Sequence, residues 1–407
     1  SPKMQEVKFL YQDFKLVPNQ TGVAIKNESL FTNTGDFELE YVLLHEGREL
    51  YRNKLLACVE PQREGRFEFE IPEEFKAETG EYCIQTSLVL KESTLWAEAG
   101  YEIAFGQFVY QVCTSEIAQP SGDLRVAHGD VNIGVHGRDF TVMFSKGAGS
   151  LVSLNYAGKE MISLPPAPLF WRATTDNDRG YSQGFHSGLW YAASLARKCV
   201  NIEVEENSSN VRIAFTYKFS INPDIEVKTG YTVYPDGSVR VKSVYNGAEN
   251  LPQLPIFAVS FKIPADYDQL DWYAMGPEEN YSDRAMGAKL GIFKNQVSDN
   301  LSGYVMPQES GNRTGVRRVD VTNQNGQGIR ISSVTEPLEC NFSPYTAFEL
   351  ENAQHIYELP NVHYTVVTVA GKQMGVGGDD SWGAPVHDEH LIKANESIEF
   401  EFMIQRV

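Results

Sequence analysis

Along much of the chain apolar and polar residues alternate with a period of two, the pattern of half-buried β-strands. The clearest stripes are Phe67, Phe69 and Ile71, followed by Val211, Ile213, Phe215, Tyr217 and Phe219. Between two further stripes, Pro235-Asp236-Gly237 predicts a tight hairpin turn. The pattern therefore predicts an all-β protein built from antiparallel strands.

Helix signals are sparse. The best one follows Ser343-Pro344, where Thr346 and Glu349 have the spacing of a capping box. This spacing predicts one short helix that begins after Thr346.

Residues 1–115 hold roughly seven predicted strands, the size of an immunoglobulin-like β-sandwich. In this segment Tyr82, in Gly80-Glu81-Tyr82, is either a tyrosine corner or an ordinary core tyrosine. The polar stretch 114–123 is typical of a linker. Residues 122–407 continue strand after strand, which predicts a second, much larger antiparallel sandwich.

The composition of the chain argues against some classes of binding partner. With 54 acidic against 35 basic residues the net charge of the 407-residue chain is −19, which argues against nucleic acid or an anionic membrane as partner. No apolar run reaches the ~18 residues of a membrane helix, and the start lacks an export signal, so we expect a cytoplasmic protein. Five cysteines without CxxC spacing predict reduced thiols and no zinc site.

Candidate chemistry lies near the C-terminus, in a loop of glycines and paired aspartates that carries Trp382. The glycines, the aspartates and Pro385 predict a rigid turn, which would present the indole to solvent. An aromatic face suits a sugar, whose C–H side stacks on the ring. The alternative is a tryptophan that plugs the edge of a core.

Five long motifs in this chain are similar to motifs of a known protein family. They are Leu95–Gln107, Leu169–Gly180 (LFWRATTDNDRG), Gly276–Arg284 (GPEENYSDR), Pro307–Arg313 (PQESGNR) and Met374–Pro385 (MGVGGDDSWGAP). In this order they resemble the C-terminal part of the β-galactosidases of glycoside hydrolase family 2. The resemblance implies a fourth, immunoglobulin-like domain followed by a fifth, large super-sandwich similar to galactose mutarotase.

For function, the resemblance implies a retaining enzyme that hydrolyses terminal β-D-galactosides such as lactose. In that family both catalytic glutamates lie on a (β/α)₈ barrel, and no strand–helix alternation of that length occurs here. We therefore expect no catalytic residue, cofactor or metal in this chain, since the family's Mg²⁺ and Na⁺ are bound mainly in the barrel. The implied partners are the barrel domain or large subunit, galactosides, and further copies in a homo-oligomer.

The resemblance also assigns site residues. It makes Trp382 a platform for the sugar and places Gly180, Tyr181, Ser182 and Gln183 in a mobile loop beside the same pocket. Gly180 and Gly184 would ease the movement of this segment. A passive surface loop is the alternative.

Acidic clusters have two interpretations each. Asp176, Asn177 and Asp178 could bind calcium or form loop-capping Asx turns, and we favour the turns. Asp379 and Asp380 look like an acid/base pair, but neighbours in an extended segment point apart, so we expect them to support the Trp382 loop.

Three further patterns are assigned structural roles. We interpret His387 and His390 as solvated or core histidines. We interpret 276–284 and 307–313 as buried polar networks that organise long loops, and direct contact with a sugar is the alternative.

Together these expectations predict that the chain is the non-catalytic C-terminal part of a β-galactosidase. The chain alone is expected to be inactive. A first residue other than Met suits an excised fragment or a processed subunit. Two other functions stay open: a mutarotase-like epimerase with a His/Glu pair, and a stand-alone carbohydrate-binding or accessory subunit.

Overall fold

A computed structural model of the protein describes residues 1–112, 122–380 and 382–407. The chain folds into two compact units, of which the smaller comprises Pro2–Ala118 and Met286–Ile292. The larger comprises Gln119–Ala285 and Phe293–Val407, together with Ser1. Most of the linker predicted at 114–123 lies outside the described residues.

The smaller unit is a sandwich of a three-stranded sheet, in the order β1-β2-β5, and a four-stranded sheet, in the order β4-β3-β6-β7. The seven strands agree with the number predicted for an immunoglobulin-like module. Its elements are helix α1 (Lys3–Leu10), the strands β1 (Phe14–Pro18), β2 (Gly22–Asn27), β3 (Phe37–His45), β4 (Arg48–Leu55), β5 (Glu64–Glu68), β6 (Gly80–Leu90) and β7 (Glu102–Val112), and 3₁₀ turns at Thr34–Asp36 and Glu73–Lys76.

Strand β5 of the smaller unit contains the predicted stripe only in part. Strand β5 ends at Glu68, earlier than predicted, yet Phe69 and Ile71 beyond it are buried in the core. Tyr82 is fully buried, and its hydroxyl donates to the backbone oxygen of Glu78 at 2.9 Å. This bond to a residue just upstream is the tyrosine-corner arrangement.

The larger unit contains two five-stranded sheets, β12-β11-β10-β9-β8 and β13-β18-β25-β24-β21, and one of nine strands, β14-β15-β16-β17-β26-β23-β22-β19-β20. Its strands are β8 (Arg125–His128), β9 (Asn132–His136), β10 (Phe140–Ser145), β11 (Ser150–Tyr156), β12 (Lys159–Glu160), β13 (Leu164–Leu169), β14 (Arg197–Glu206), β15 (Val211–Phe219), β16 (Asn222–Val233), β17 (Val239–Tyr245), β18 (Ile256–Pro264), β19 (Gln269–Gly276), β20 (Lys289–Gln296), β21 (Arg313–Val316), β22 (Arg318–Thr322), β23 (Gly328–Ser333), β24 (Leu338–Ser343), β25 (Tyr364–Gln373) and β26 (Ile398–Arg406). Of β20, the residues from Phe293 onward belong to this unit.

The stripe predicted from Val211 to Phe219 forms β15, and the apolar side chains of the stripe are all buried. The predicted hairpin joins β16 to β17, where Val233 pairs with Val239. Gly237 in its turn has φ +86°, which glycine adopts without strain. Strand pairing is antiparallel across these sheets, so the all-β prediction is confirmed.

Short helices interrupt the strands of the larger unit. The one that the sequence predicted, α5, begins after Thr346, with the capping box to Glu349 in place. Helix α4 was not predicted, because its residues are apolar on most sides and Trp190 within it is fully buried. The helices are α2 (Asp176–Gly180), α3 (Gln183–His186), α4 (Gly188–Leu195) and α5 (Ala347–Asn352), with 3₁₀ turns at Val297–Asn300, Ile356–Glu358 and Asp388–His390.

Candidate functional site

The loop between β25 and β26 presents Trp382 to solvent. Its side chain is 87% exposed, whereas Met374 before it is fully buried and Val386 after it is 4% exposed. The loop is therefore anchored at both ends and projects the indole outward. This excludes the alternative in which Trp382 plugs a core.

Asp380 shapes the tip of this loop from within. Its Oδ1 accepts hydrogen bonds from the backbone N–H of Trp382 at 2.8 Å and of Ala384 at 3.1 Å. Asp379 points elsewhere, with its Oδ1 2.7 Å from Nε2 of His387. This hydrogen bond raises the pKa of His387, which lies in an exposed position. The two carboxylates thus have different partners, and the backbone at the tip of the loop is held by Asp380.

Two side chains from other segments hold the base of the loop. Asn177 Nδ2 donates to the carbonyl oxygens of Gly377 and Ala384, both at 3.0 Å, and so joins the two sides of the loop. Asp283 Oδ2 accepts from the backbone N–H of Val376 at 2.8 Å and of Gly377 at 2.7 Å. Asp283 lies in the GPEENYSDR motif, but the sequence alone did not mark it as a support.

Asn177 is positioned by helix α2. Thr175 caps this helix: its hydroxyl accepts from Asp178 N–H at 3.1 Å, and Asp178 accepts from Thr175 N–H at 2.9 Å. The side chain of Asp178 also lies 3.2 Å from the guanidinium of Arg172, and both residues are at least 98% buried. Asp178 of the DND run therefore completes the capping box of α2 and forms a buried ion pair with Arg172.

Arg172 connects this buried pair to the Trp382 loop. Its guanidinium donates to the carbonyl oxygens of Met374 and, at 2.7 Å, of Gly375, the residues that lead into the loop. A single buried cation thus neutralises Asp178 and orders the backbone before Trp382. Arg172 lies in the LFWRATTDNDRG motif, but the sequence alone does not reveal its contacts with the backbone of Met374 and Gly375.

The segment expected as a mobile loop is largely helical. Gly180 ends α2, Ser182 has φ +63°, and α3 follows. Tyr181 lies close to Asp178, with its hydroxyl 3.3 Å from Oδ1, and burial raises its pKa. Gln183 is 5% exposed and donates to the Ser187 hydroxyl at 2.7 Å, so its side chain faces inward. The exposed aromatic of this segment is instead Phe185, at 88%.

The PQESGNR segment lies against the same helix. Gln308 forms two hydrogen bonds with Asp176, each 3.0 Å long, one to its backbone N–H and one to its carboxylate. Arg179 donates to the Pro307 carbonyl at 2.9 Å. Four separate motifs of the sequence therefore meet around the base of the Trp382 loop.

Glu279 is the centre of the predicted polar network. It is 3% exposed and accepts from Arg284 at 2.6 Å, Tyr304 at 2.9 Å, Ser302 at 3.2 Å and the Gly311 backbone N–H at 2.6 Å. This confirms that 276–284 and 307–313 organise long loops through buried hydrogen bonds.

Within residues 1–112, 122–380 and 382–407, no group of three or more His, Cys, Asp or Glu side chains is placed to hold a metal ion. No helix in the described part of the chain is long and apolar enough to cross a bilayer.

Comparison with known proteins agrees with this architecture. A family model described as β-galactosidase small chain matches residues 136–404, and one described as β-galactosidase domain 4 matches residues 23–111. A β-galactosidase from Halalkalibacterium halodurans is 65% identical over 100% of this chain and 40% of its own length. A β-galactosidase small subunit from Latilactobacillus sakei is 33% identical over 71% of this chain and 99% of its own.

A solved galactose mutarotase-like protein from Lactobacillus casei is 10% identical and covers 70% of this chain and 100% of its own, with a TM-score of 0.34. The chain belongs to the β-galactosidase small-chain family, and it corresponds to the C-terminal part of the long β-galactosidases. It spans about 40% of the length of those long relatives.

Proposed function

We propose that this chain is the non-catalytic C-terminal part of a retaining β-galactosidase. In this proposal the indole of Trp382 stacks on a bound galactoside. The glycosidic bond that reacts lies in a barrel domain that belongs to another polypeptide segment. Gly180, Tyr181 and Ser182 form the neighbouring wall, and Gln183 supports it from inside.

The observation that carries the proposal is the exposed ring on a constrained loop. An indole that is 87% exposed loses contact with the core, yet backbone groups at the base and tip of its loop are held by Asn177, Asp283 and Asp380. A loop that is already ordered suits a binding surface. Because the loop is held in place before binding, little conformational entropy is lost when a ligand contacts the exposed ring.

Two more exposed apolar side chains lie on segments tied to this loop. Phe185 is 88% exposed on α3, and Val305, just before the PQESGNR motif, is 93% exposed. Exposed apolar side chains on segments tied to one loop suit contact with another polypeptide surface. A catalytic barrel is the partner that this family of longer enzymes suggests.

Catalysis itself is assigned to that partner. Hydrolysis with retention of the anomeric configuration requires two carboxyl groups about 5 Å apart on opposite sides of the glycosidic bond. The adjacent Asp379 and Asp380 do not meet this requirement, because one binds His387 and the other binds the loop backbone. The isolated chain is therefore expected to be silent in a galactoside-hydrolysis assay.

The test is complementation with a barrel-containing fragment of the Halalkalibacterium relative. The isolated chain should give no turnover, and the mixture should hydrolyse a nitrophenyl galactoside. Trp382→Ala should lower kcat/KM of the mixture about tenfold or more, and Trp382→Phe should retain most of it, since a smaller ring still stacks. Trp96→Ala is the matched control, because Trp96 is 66% exposed in the other unit.

Turnover by the isolated chain, or equal activity for Trp382→Ala and wild type, would contradict the proposal. The two other functions have their own assays. An epimerase would accelerate the mutarotation of α-galactose in a polarimeter, and a stand-alone binding module would bind galactose or lactose through Trp382 without any partner.

A further inference from the structure

One side of helix α1 in the smaller unit presents apolar side chains to solvent. Met4, Val7, Leu10 and Tyr11, which directly follows the helix, are between 39% and 83% exposed. With about 100° between successive residues, these four positions lie within about 120° of the helix circumference. They are called the α1 face below. Met4, Val7 and Tyr11 have the i, i+3, i+7 spacing with which a helix binds a groove of another protein.

Other sides of α1 are attached to the smaller unit itself. The ring of Phe9 packs on that of Phe105 in β7, with the centroids 5.2 Å apart. Glu6 accepts a hydrogen bond from the backbone N–H of Gly287 at 2.8 Å. Both contacts come from outside the α1 face, so the helix is held in place while that face stays turned to solvent.

The helix has little stability of its own. It has eight residues, and none of them is buried. Isolated helices shorter than about 12–15 residues are marginal in water, and most helix stability in proteins comes from the packing of an apolar face. Exposed apolar side chains grouped on one face indicate a protein interaction site. A partner surface over the α1 face would supply the packing that this side of the helix lacks.

The family matches indicate which partner this is. The β-galactosidase small-chain match is confined to residues 136–404, whereas the smaller unit contains the domain 4 match at residues 23–111. The smaller unit is therefore similar to a part of the enzyme outside the small chain. More than half of the long Halalkalibacterium relative also lies outside the match, since this chain spans 40% of its length.

A second copy of this chain fits the α1 face less well. The net charge of −19 on each copy would oppose the association of two identical chains. A (β/α)₈ barrel, in contrast, has an outer ring of helices. The grooves between side-chain ridges on such helices accept the side chains of another helix.

We propose that the α1 face docks the smaller unit onto the catalytic barrel of the same enzyme, with Val7 near the centre of the contact. This inference rests on the proposed function, in which another polypeptide segment carries the barrel. The α1 face would contribute to the affinity between the two polypeptides and not to the chemical step. Val7 and Trp382 therefore have different effects in an experiment.

The test is a calorimetric titration of the 407-residue chain with the barrel-containing fragment of the Halalkalibacterium relative. Val7→Asp should raise the Kd about thirtyfold or more, because its carboxylate would be buried in the contact without a partner. Val7→Leu should bind like wild type, since it keeps the face apolar. Val17→Asp is the matched control: Val17 is 65% exposed on β1 of the same unit, and its replacement should leave the Kd unchanged.

Two further measurements do not depend on the folding of Val7→Asp. Tyr11→Ser changes a side chain that follows the helix, and it should raise the Kd about tenfold. In the wild-type chain, hydrogen exchange of the α1 amides should slow when the barrel fragment is added. At saturating fragment, Val7→Asp should hydrolyse a nitrophenyl galactoside with the kcat and KM of wild type.

An equal Kd for Val7→Asp and wild type overturns the inference, and so does an equal loss of affinity in Val17→Asp. A wild-type dimer that Val7→Asp makes monomeric also overturns it, because the α1 face would then bind a second copy. Failure of the proposed function gives a different result: the mixture associates through α1 but is inactive, or Trp382→Ala leaves kcat/KM unchanged. If the wild-type chain does not bind the fragment, both proposals fail.

Discussion

Gly180 and Gly383 meet backbone to backbone. A Cβ atom built on Gly180 would lie 2.7 Å from the Cα of Gly383, and one built on Gly383 would lie 2.4 Å from the carbonyl carbon of Gly180. Neither residue has room for a side chain. The end of α2 therefore packs directly on the residue after Trp382, and the position of the indole depends on this contact.

Gly180→Ala should displace the Trp382 loop. Gly180 ends a helix, where alanine is itself acceptable, so the effect comes from the clash with the Gly383 backbone. In the complemented enzyme we expect kcat/KM to fall about tenfold to a hundredfold, because a shift of about 1 Å in a binding group has that effect.

Gly188→Ala is the control for this substitution. Gly188 begins α4, and a methyl group added there would have no atom within 4 Å apart from its chain neighbours and the backbone of its own helix, so alanine fits. Its activity should equal that of wild type. Equal activity for Gly180→Ala as well would show that the contact does not position Trp382.

Asp380→Ala should loosen the tip of the loop, whereas Asp380→Asn should not. Asparagine retains an oxygen that can accept from the N–H groups of Trp382 and Ala384, and alanine does not. Hydrogen exchange of these two amides should accelerate about tenfold in Asp380→Ala. Equal exchange rates in both variants would mean that the carboxylate does not order the tip.

Asp178→Ala should destabilise the larger unit strongly. It leaves the Arg172 guanidinium buried without its counter-ion, which typically costs about 3–5 kcal/mol. Urea unfolding followed by fluorescence measures the loss. Glu399→Ala, which removes the exposed partner of Lys242, is the control and should cost less than about 1 kcal/mol. Similar losses in the two variants would contradict the importance assigned to the buried pair.

The sequence predicted the features that depend on local pattern. The stripe of β15, the hairpin at Gly237 and the cap at Thr346 are fixed by neighbouring residues, so periodicity and turn chemistry suffice. Helix α4 was not predicted, because it is short and apolar at most positions, so its sequence shows no amphipathic pattern. The end of β5 at Glu68 likewise depends on pairing with β2, which is not a local property.

For the candidate site, the sequence indicated which motifs matter but did not predict which residues contact each other. Asp283 supports a loop that lies more than ninety positions further along the chain, a relation that no local pattern reveals. Gln183 was expected to face the pocket, but its side chain is buried against Ser187. Tertiary packing decides which side chains of a motif point outward. In this segment the exposed side chain is that of Phe185.

Glu339 on β24 should make the stability of the larger unit depend on pH. Its carboxylate accepts from Asn312 Nδ2 at 3.0 Å and from the Gln373 backbone N–H at 3.3 Å, yet burial raises its pKa from 4.5 to about 7. Burial raises the pKa of Glu309 in the same direction, to about 6. Between pH 4.5 and 7 the folded protein therefore binds more protons at these groups than the unfolded chain.

Glu339 and Glu309 therefore stabilise the fold most below about pH 4.5, and their contribution is lost as the pH rises towards 7. Glu339→Gln should reduce the fall in the free energy of unfolding between pH 5 and 7 by about 2 kcal/mol. Glu399→Gln makes the same charge change on the surface of β26 and should leave the slope intact. Urea unfolding at several pH values measures both, and an unchanged slope in Glu339→Gln would mean that Glu339 is already ionised at pH 5.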